Sequence, residues 1–191
     1  MTFAAVAAVL AVLLIGCLVI CVFAVSLYNR LVSLRHAVRK AWSDIDVLLK
    51  QRYDEIPKLV EICKGYMKHE QETLERVIQA RNRAAGARGV AEHRAADGAL
   101  AGMLSGLFAL SEDYPELKAN QNFLNLQRRI SGLEDQIADR RELYNAQVNN
   151  YNVRIEQVPD VFIARAMAFN GEELYTIEEP AHRESPQVSF A

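Results

Sequence analysis

Val38-Arg39-Lys40-Ala41-Trp42-Ser43-Asp44-Ile45-Asp46-Val47-Leu48-Leu49-Lys50-Gln51-Arg52-Tyr53-Asp54-Glu55-Ile56-Pro57-Lys58-Leu59-Val60 decides the architecture. Its apolar positions recur every three or four residues: Val38, Ala41/Trp42, Ile45, Leu48/Leu49, Tyr53, Ile56 and Leu59/Val60. The period continues through Cys63, Tyr66/Met67, Leu74 and Val77/Ile78. That spacing lays one apolar seam along a helix. It predicts a single long amphipathic helix in heptad-like phase and makes the chain all-α. Pro57 lacks the N–H that would bond to the carbonyl of Tyr53 and crowds it, so a kink is expected there. A hairpin at residues 54–58 is the alternative. The segment offers no Gly or Asn to turn on, and the apolar register passes Pro57 unshifted, which favours a kinked continuous helix.

Upstream the chemistry changes. None of the 22 Lys and Arg or 24 Asp and Glu side chains precedes Arg30. Phe3 to Leu27 contains no charge, no proline and one glycine, Gly16. At 1.5 Å per residue it makes about 37 Å of helix, enough to cross a ~30 Å hydrocarbon core with some tilt. A signal peptide would want a basic leader and a shorter apolar run. Leu14-Ile15-Gly16-Cys17 has the form of a lipobox, but the apolar run continues through Phe23, so an uncleaved transmembrane helix is the reading. After it come Arg30, Arg35, Arg39 and Lys40, with no acid until Asp44. By the positive-inside rule this basic flank stays in the cytoplasm, against the membrane surface, and the N-terminus lies outside. Trp42 is expected to pack near the membrane end of the first helix or to anchor at the interface.

Downstream, a small-residue connector at residues 83–89 precedes a weaker Ala- and Gly-rich helix from about Ala91 to Leu110. Gly98, Gly102 and Gly106, spaced by four, are expected to let a neighbouring helix approach closely. Asp113-Tyr114-Pro115-Glu116 predicts a helix start, with Asp113 as cap and Glu116 closing a capping box. A third helix runs from there to Pro159, and a fourth from Asp160 to Phe169 ends at Asn170-Gly171. The expected architecture is an N-terminal transmembrane helix followed by an antiparallel four-helix bundle with a long, kinked first helix. Its divisions are a short outer N-terminus (1–2), the membrane helix (3–27), the helical bundle (28–173) and an irregular tail (174–191).

Chemistry-bearing motifs are sparse. The net charge of −2 gives no basic field for nucleic acid, and three cysteines, two in the apolar segment, do not make a disulfide scaffold. No Glu-x-x-His pair falls on a helix; Glu179 and His182 flank Pro180. His69-Glu70-Gln71-Glu72-Thr73 lacks the second histidine of a zinc-protease helix. The histidines read as solvated and the cysteines as small hydrophobes, so no catalytic residue, metal ligand, cofactor or small-molecule substrate is expected. One polar pattern stands out. Asn120, Gln127, Glu134 and Arg141 are seven apart, in one lane beside the apolar seam, and Tyr144-Asn145 and Tyr151-Asn152 repeat a dipeptide at the same spacing. The lane reads either as an internal ladder fixing helix register or as a groove for a partner helix.

Tyr28-Asn29, Ala41-Trp42-Ser43-Asp44-Ile45-Asp46, Ile56-Pro57-Lys58-Leu59-Val60-Glu61, Lys64-Gly65-Tyr66, His69-Glu70 and Tyr114-Pro115-Glu116-Leu117-Lys118-Ala119-Asn120 together resemble the LemA family. Arg141, the two Tyr-Asn pairs and Pro159 extend the likeness over nearly the whole chain. The resemblance implies a bacterial membrane-anchored helical bundle without established enzymatic activity, with relatives in magnetosome membranes. The expected function is a non-enzymatic scaffold or adaptor in the cytoplasmic membrane, whose partners are the lipid bilayer and either another membrane protein or a second copy. An apolar stripe on a part of the third helix that outruns the second would serve as the docking face. Two alternatives are membrane remodelling through Arg30, Arg35 and Arg39, and a metal-binding bundle using Glu61, His69 and Glu134.

Overall fold

The computed structural model describes residues 2–176, and no strand occurs among the described residues. In chain order the helices are α1 (Thr2–Tyr66), α2 (Gln71–Gly86), α3 (Gly89–Ser111), α4 (Pro115–Lys118), α5 (Gln121–Glu156) and α6 (Asp160–Ala166). They contribute to two compact units. One comprises Met1–Asp44 and Glu142–Glu173, the other Ile45–Arg141 and Leu174–Ala191. Of the expected tail, Leu174 to Thr176 lies outside any helix and Tyr175 is buried. The remainder, with Glu179 and His182, lies outside the described residues.

In the first unit α1 begins as a bare apolar rod. From Phe3 to Val25 its large apolar side chains are exposed, and an 18-residue window reaches a mean hydropathy of 3.2 with no residue covered. Burial starts at Leu27 and continues at Leu31 and Val38, without a break in the helix. The covering side chains come from the end of α5 and from the segment beyond it: Tyr144, Val148, Tyr151, Ala164 and Phe169 are buried. Trp42 is half-buried with its ring edge-on to Tyr144, centroids 5.7 Å apart.

Helix α6 ends earlier than expected. The left-handed turn falls on Ala168 (φ 52°), where Phe169 N–H returns to Ala164 C=O at 2.9 Å and Ala168 N–H to Arg165 C=O at 3.4 Å. That pair of bonds is a Schellman closure. A left-handed alanine is disfavoured by about 1–2 kcal/mol; burial of the Phe169 ring against Tyr28, 5.8 Å between centroids, offsets it. The Asn-Gly pair therefore follows the cap instead of forming it.

In the second unit the seam of α1 is buried at Ile45, Leu49, Tyr53, Ile56, Leu59, Val60 and Cys63. The helix does not continue to Ile78 as the periodicity predicts; it stops at Tyr66, and Gln71 starts α2. Gly65 weakens the last turn by about 1 kcal/mol relative to alanine. Met67 then tucks fully into the turn, its N–H on the Cys63 carbonyl at 2.8 Å. Four residues after Cys63 and seven before Leu74, Met67 preserves the apolar spacing while the backbone reverses, so the period hides the break.

Other boundaries shift for similar local reasons. Helix α2 runs on through Ala84 and Ala85, which are good helix formers, and shortens the connector to Ala87-Arg88. Asp113 caps nothing: α4 starts at Pro115 without a side-chain cap and ends after one turn. The long helix begins instead at Asn120, whose Oδ1 accepts Asn122 N–H at 2.9 Å and Phe123 N–H at 3.2 Å. The glycine stripe on α3 also departs from expectation. Gly98, Gly102 and Gly106 are exposed, and among the described residues no neighbouring helix comes within 4 Å of where their Cβ atoms would be. Nor does α5 carry a bare apolar overhang, since its seam is buried at Phe123, Ile130, Leu133, Ile137, Tyr144, Val148 and Tyr151.

Pro57 stands inside α1 without ending it, which excludes the hairpin at residues 54–58. The Tyr53 carbonyl that it deprives of a partner accepts Arg81 Nε from α2 at 2.9 Å. A buried acceptor left without a donor costs about 1–3 kcal/mol, so this bond pins α2 to α1 where the helix would otherwise be weakest. Replacing Arg81 by Met is predicted to lower stability by about 1–2 kcal/mol. In a Pro57→Ala background, where residue 57 supplies its own N–H to Tyr53, the same replacement loses much less. Thermal unfolding of the four proteins in detergent, followed by circular dichroism, measures that coupling.

Candidate functional site

Charged residues occupy buried positions where the helical period calls for apolar ones. On α1, Arg52 lies between Leu49 and Ile56 and is fully buried. On α3, the buried positions Asp97, Leu100, Leu104, Leu107 and Ser111 follow the three-to-four period, and Asp97 is 2% exposed. Both helices therefore turn a charge inward. Helix α5 adds Glu134 and Arg141 from its polar lane, and the segment after residue 173 adds Tyr175.

These groups meet at one carboxylate. Asp97 Oδ1 accepts Arg52 Nη2 and the Tyr53 hydroxyl, the latter at 3.3 Å. Its Oδ2 accepts Arg141 Nη2 and the Tyr175 hydroxyl, the latter at 3.2 Å. Arg52 Nη1 donates to Glu134 Oε1 at 2.7 Å. The Arg141 guanidinium also lies over the Tyr175 ring, 4.6 Å from its centroid. The cluster thus joins α1, α3, α5 and the 174–176 segment within one unit, and two guanidiniums balance two carboxylates.

Burial and charge act against each other here. Burial opposes the charge on Arg52, yet Asp97 and Glu134 outweigh it and hold the guanidinium pKa above its ordinary value. For Tyr53 and Tyr175, burial raises the phenol pKa and the Asp97 charge raises it further. Both hydroxyls stay protonated as donors. Every acceptor position of Asp97 is used, and guanidiniums do not release protons. Toward the end of α1, burial pushes the Cys63 thiol up to about 11, so at neutral pH it is no nucleophile. The arrangement holds helices α1, α3 and α5 together.

The expected residues fall as follows. Glu134 and Arg141 enter the cluster, Asn120 caps α5 and donates to the Tyr66 hydroxyl at 2.9 Å, and Gln127 is half-buried on the same helix. Asn152 exchanges two bonds with the Glu172 backbone, each 2.9 Å, and Asn145 is half-buried. Of the basic flank, Arg30, Arg39 and Lys40 are exposed, whereas Arg35 covers the Phe169 ring at 4.7 Å. Glu61 and His69 are exposed and Glu134 is tied to Arg52, so the suggested metal set does not assemble. His93 is buried on α3, contrary to the expectation that all the histidines face solvent. Asp97 was not singled out by motif. Its signal is position: it is the only charge between Arg94 and Glu112, and it sits in core phase.

A second feature of the same unit is a groove of about 570 Å³ between the end of α1 and α2. Val60, Met67, Leu74 and Ile78 form its floor, with Lys64, Lys68 and Glu75 among the polar groups at its rim.

The chain belongs to the LemA family, whose sequence model matches residues 41–190. Among individual proteins it is similar to magnetosome protein MamQ 2 and magnetosome protein MamQ 1 of Paramagnetospirillum magneticum (strain AMB-1), each 35% identical over 86 residues. Magnetosome protein MamQ of Magnetospirillum gryphiswaldense is 34% identical over the same length. Each match covers 45% of this chain and 31% of the relative. With the uncovered apolar stretch of α1, these likenesses mark a membrane-associated helical protein.

Two outcomes test the cluster. Asp97→Ala leaves buried Arg52 with Glu134 alone and takes the carboxylate from partly buried Arg141, and is predicted to destabilise by about 3–5 kcal/mol, whereas joint replacement of Arg52, Asp97, Glu134 and Arg141 by apolar residues of similar volume loses far less. Detergent-solubilised unfolding curves distinguish them. On the alkaline side, Tyr53 and Tyr175 ionise near pH 10 when unfolded but only at higher pH when folded. Their contribution is complete below pH 10 and is lost as pH rises above it. Replacing both by Phe should flatten the decline of melting temperature above pH 10.

Proposed function

We propose that this LemA-family chain is a non-enzymatic scaffold, anchored in the cytoplasmic membrane by residues 3–27, that engages another membrane protein or a second copy through its helical part. The observation that carries the anchor is the run of exposed apolar side chains on α1, which passes without a helix break into buried positions at Leu27 and Leu31. Water does not tolerate so long a bare apolar rod; lipid does. The basic residues Arg30, Arg39 and Lys40 just past the span favour placing the helical part in the cytoplasm and the N-terminus outside.

Contact rather than reaction is supported by the closed chemistry around Asp97 and by the groove at the end of α1. An apolar floor with a polar rim suits the apolar face of an amphipathic partner helix. The helices are read as an antiparallel bundle bent at Pro57. Its polar lane serves register, because Glu134, Arg141, Asn120 and Asn152 spend their hydrogen bonds inside the chain. The exposed cations beside the span support a second reading, organisation of the membrane itself, in line with the MamQ likeness.

Photocrosslinkers at Lys64, Lys68, Gln127 and Arg141 in native membranes test the proposal. The expected outcome is intermolecular adducts from Lys64 and Lys68 and none from Gln127 or Arg141. Absence of any intermolecular adduct at the groove, with the protein monomeric in mild detergent, contradicts it.

A further inference from the structure

Within the first unit, the α5–α6 turn, α6 and the residue after it carry exposed apolar side chains. Val158 is 74% exposed, Phe162 66% and Met167 59%, values like those of the bare rod of α1. Side chains of this kind at the end of a small unit call for an occupant.

The position of the turn identifies it. Helix α5 runs antiparallel to α1 in this unit: Tyr144 stacks on Trp42, and Tyr151, one heptad later, lies within electrostatic reach of Arg35 and Arg39. Continued at about 1.5 Å per residue, this register brings the end of α5 level with about residue 31 of α1. From there the chain turns through α6, and Phe169 packs against Tyr28 and Arg35 before Asn170 and Glu172 return alongside Tyr151 and Asn152. Leu27 is buried and Ala24 half-buried, so the packing reaches the last turn of the uncharged segment itself. The exposed apolar residues therefore project at the level where α1 leaves the apolar segment.

We infer that Val158, Phe162 and Met167 form a second membrane contact, sunk in the headgroup–acyl boundary beside the span, with the bilayer as their occupant. This rests on the anchor reading above. The exposed Arg165 of α6, with Arg30 on α1, suits the anionic headgroup layer at the rim of such a contact. The contact fixes the unit at two points on the membrane plane, so it resists swivelling about the single helix.

Depth-dependent fluorescence quenching tests the inference. In full-length protein carrying Trp42→Phe, a single tryptophan replaces Val19, Phe162 or Met103. The proteins are reconstituted in phosphatidylcholine–phosphatidylglycerol vesicles with brominated acyl chains. Phe162→Trp should emit at shorter wavelength than Met103→Trp and be quenched at least about twofold more, as burial ~5–10 Å into the interface requires. Quenching at residue 19 but not above the Met103 level at 162 overturns the second contact and leaves the anchor standing. Quenching at neither position overturns both. A blue shift at 162 that depends on protein density and occurs without quenching assigns the patch to a second copy, which also overturns the inference.

Discussion

A carboxylate leaves water only if donors replace its hydration shell, and Asp97 meets that condition with four of them. The consequences spread through the second unit. Arg52 can lie fully buried in the seam of α1 because Asp97 and Glu134 face it, and Arg141 can turn inward from α5 because Asp97 and the Tyr175 ring receive it. Helix α3, rich in Ala and Gly, has little intrinsic helix stability of its own. A charge held from three directions sets its rotation and its height against α1 and α5. An apolar seam alone tolerates slippage by a heptad; a single buried carboxylate with defined partners does not.

The first unit applies a different rule to the same end. Its polar groups are spent on the backbone that returns after α6: Tyr144 donates to Glu173 C=O, Tyr151 to Asn170 C=O, and Asn152 pairs both ways with Glu172. The repeated Tyr-Asn dipeptide thus fastens an irregular segment along a helix that offers no backbone donors of its own. Outward, the unit presents apolar side chains on the rod of α1 and around α6, together with the exposed cations Arg30, Arg39, Lys40 and Arg165.

Much of this was legible in the residues, and the failures have physical causes. The uncharged segment before Arg30 and the seams of α1 and α5 follow from local patterning, which acts within a few residues. The break at Met67 escaped because a buried turn residue kept the apolar spacing. The cap at Asn120 was obscured by a stronger-looking start signal at Asp113. The glycine stripe invited a packing partner that the fold does not supply. Asp97 escaped for a deeper reason: its partners lie 45 residues upstream and 44 downstream, beyond the reach of any period. Only its isolation in an uncharged, core-phase stretch marked it.

The central claim is that the buried carboxylate binds α1, α3 and α5 into one cooperative unit. Native-state hydrogen exchange on the full chain in lipid nanodiscs tests it most directly. The account predicts that amides around Leu49–Ile56, Leu100–Leu104 and Ile137–Arg141 exchange together, as slowly as the most protected positions of that unit. Exchange of α3 on its own, orders of magnitude faster than its neighbours, would contradict it.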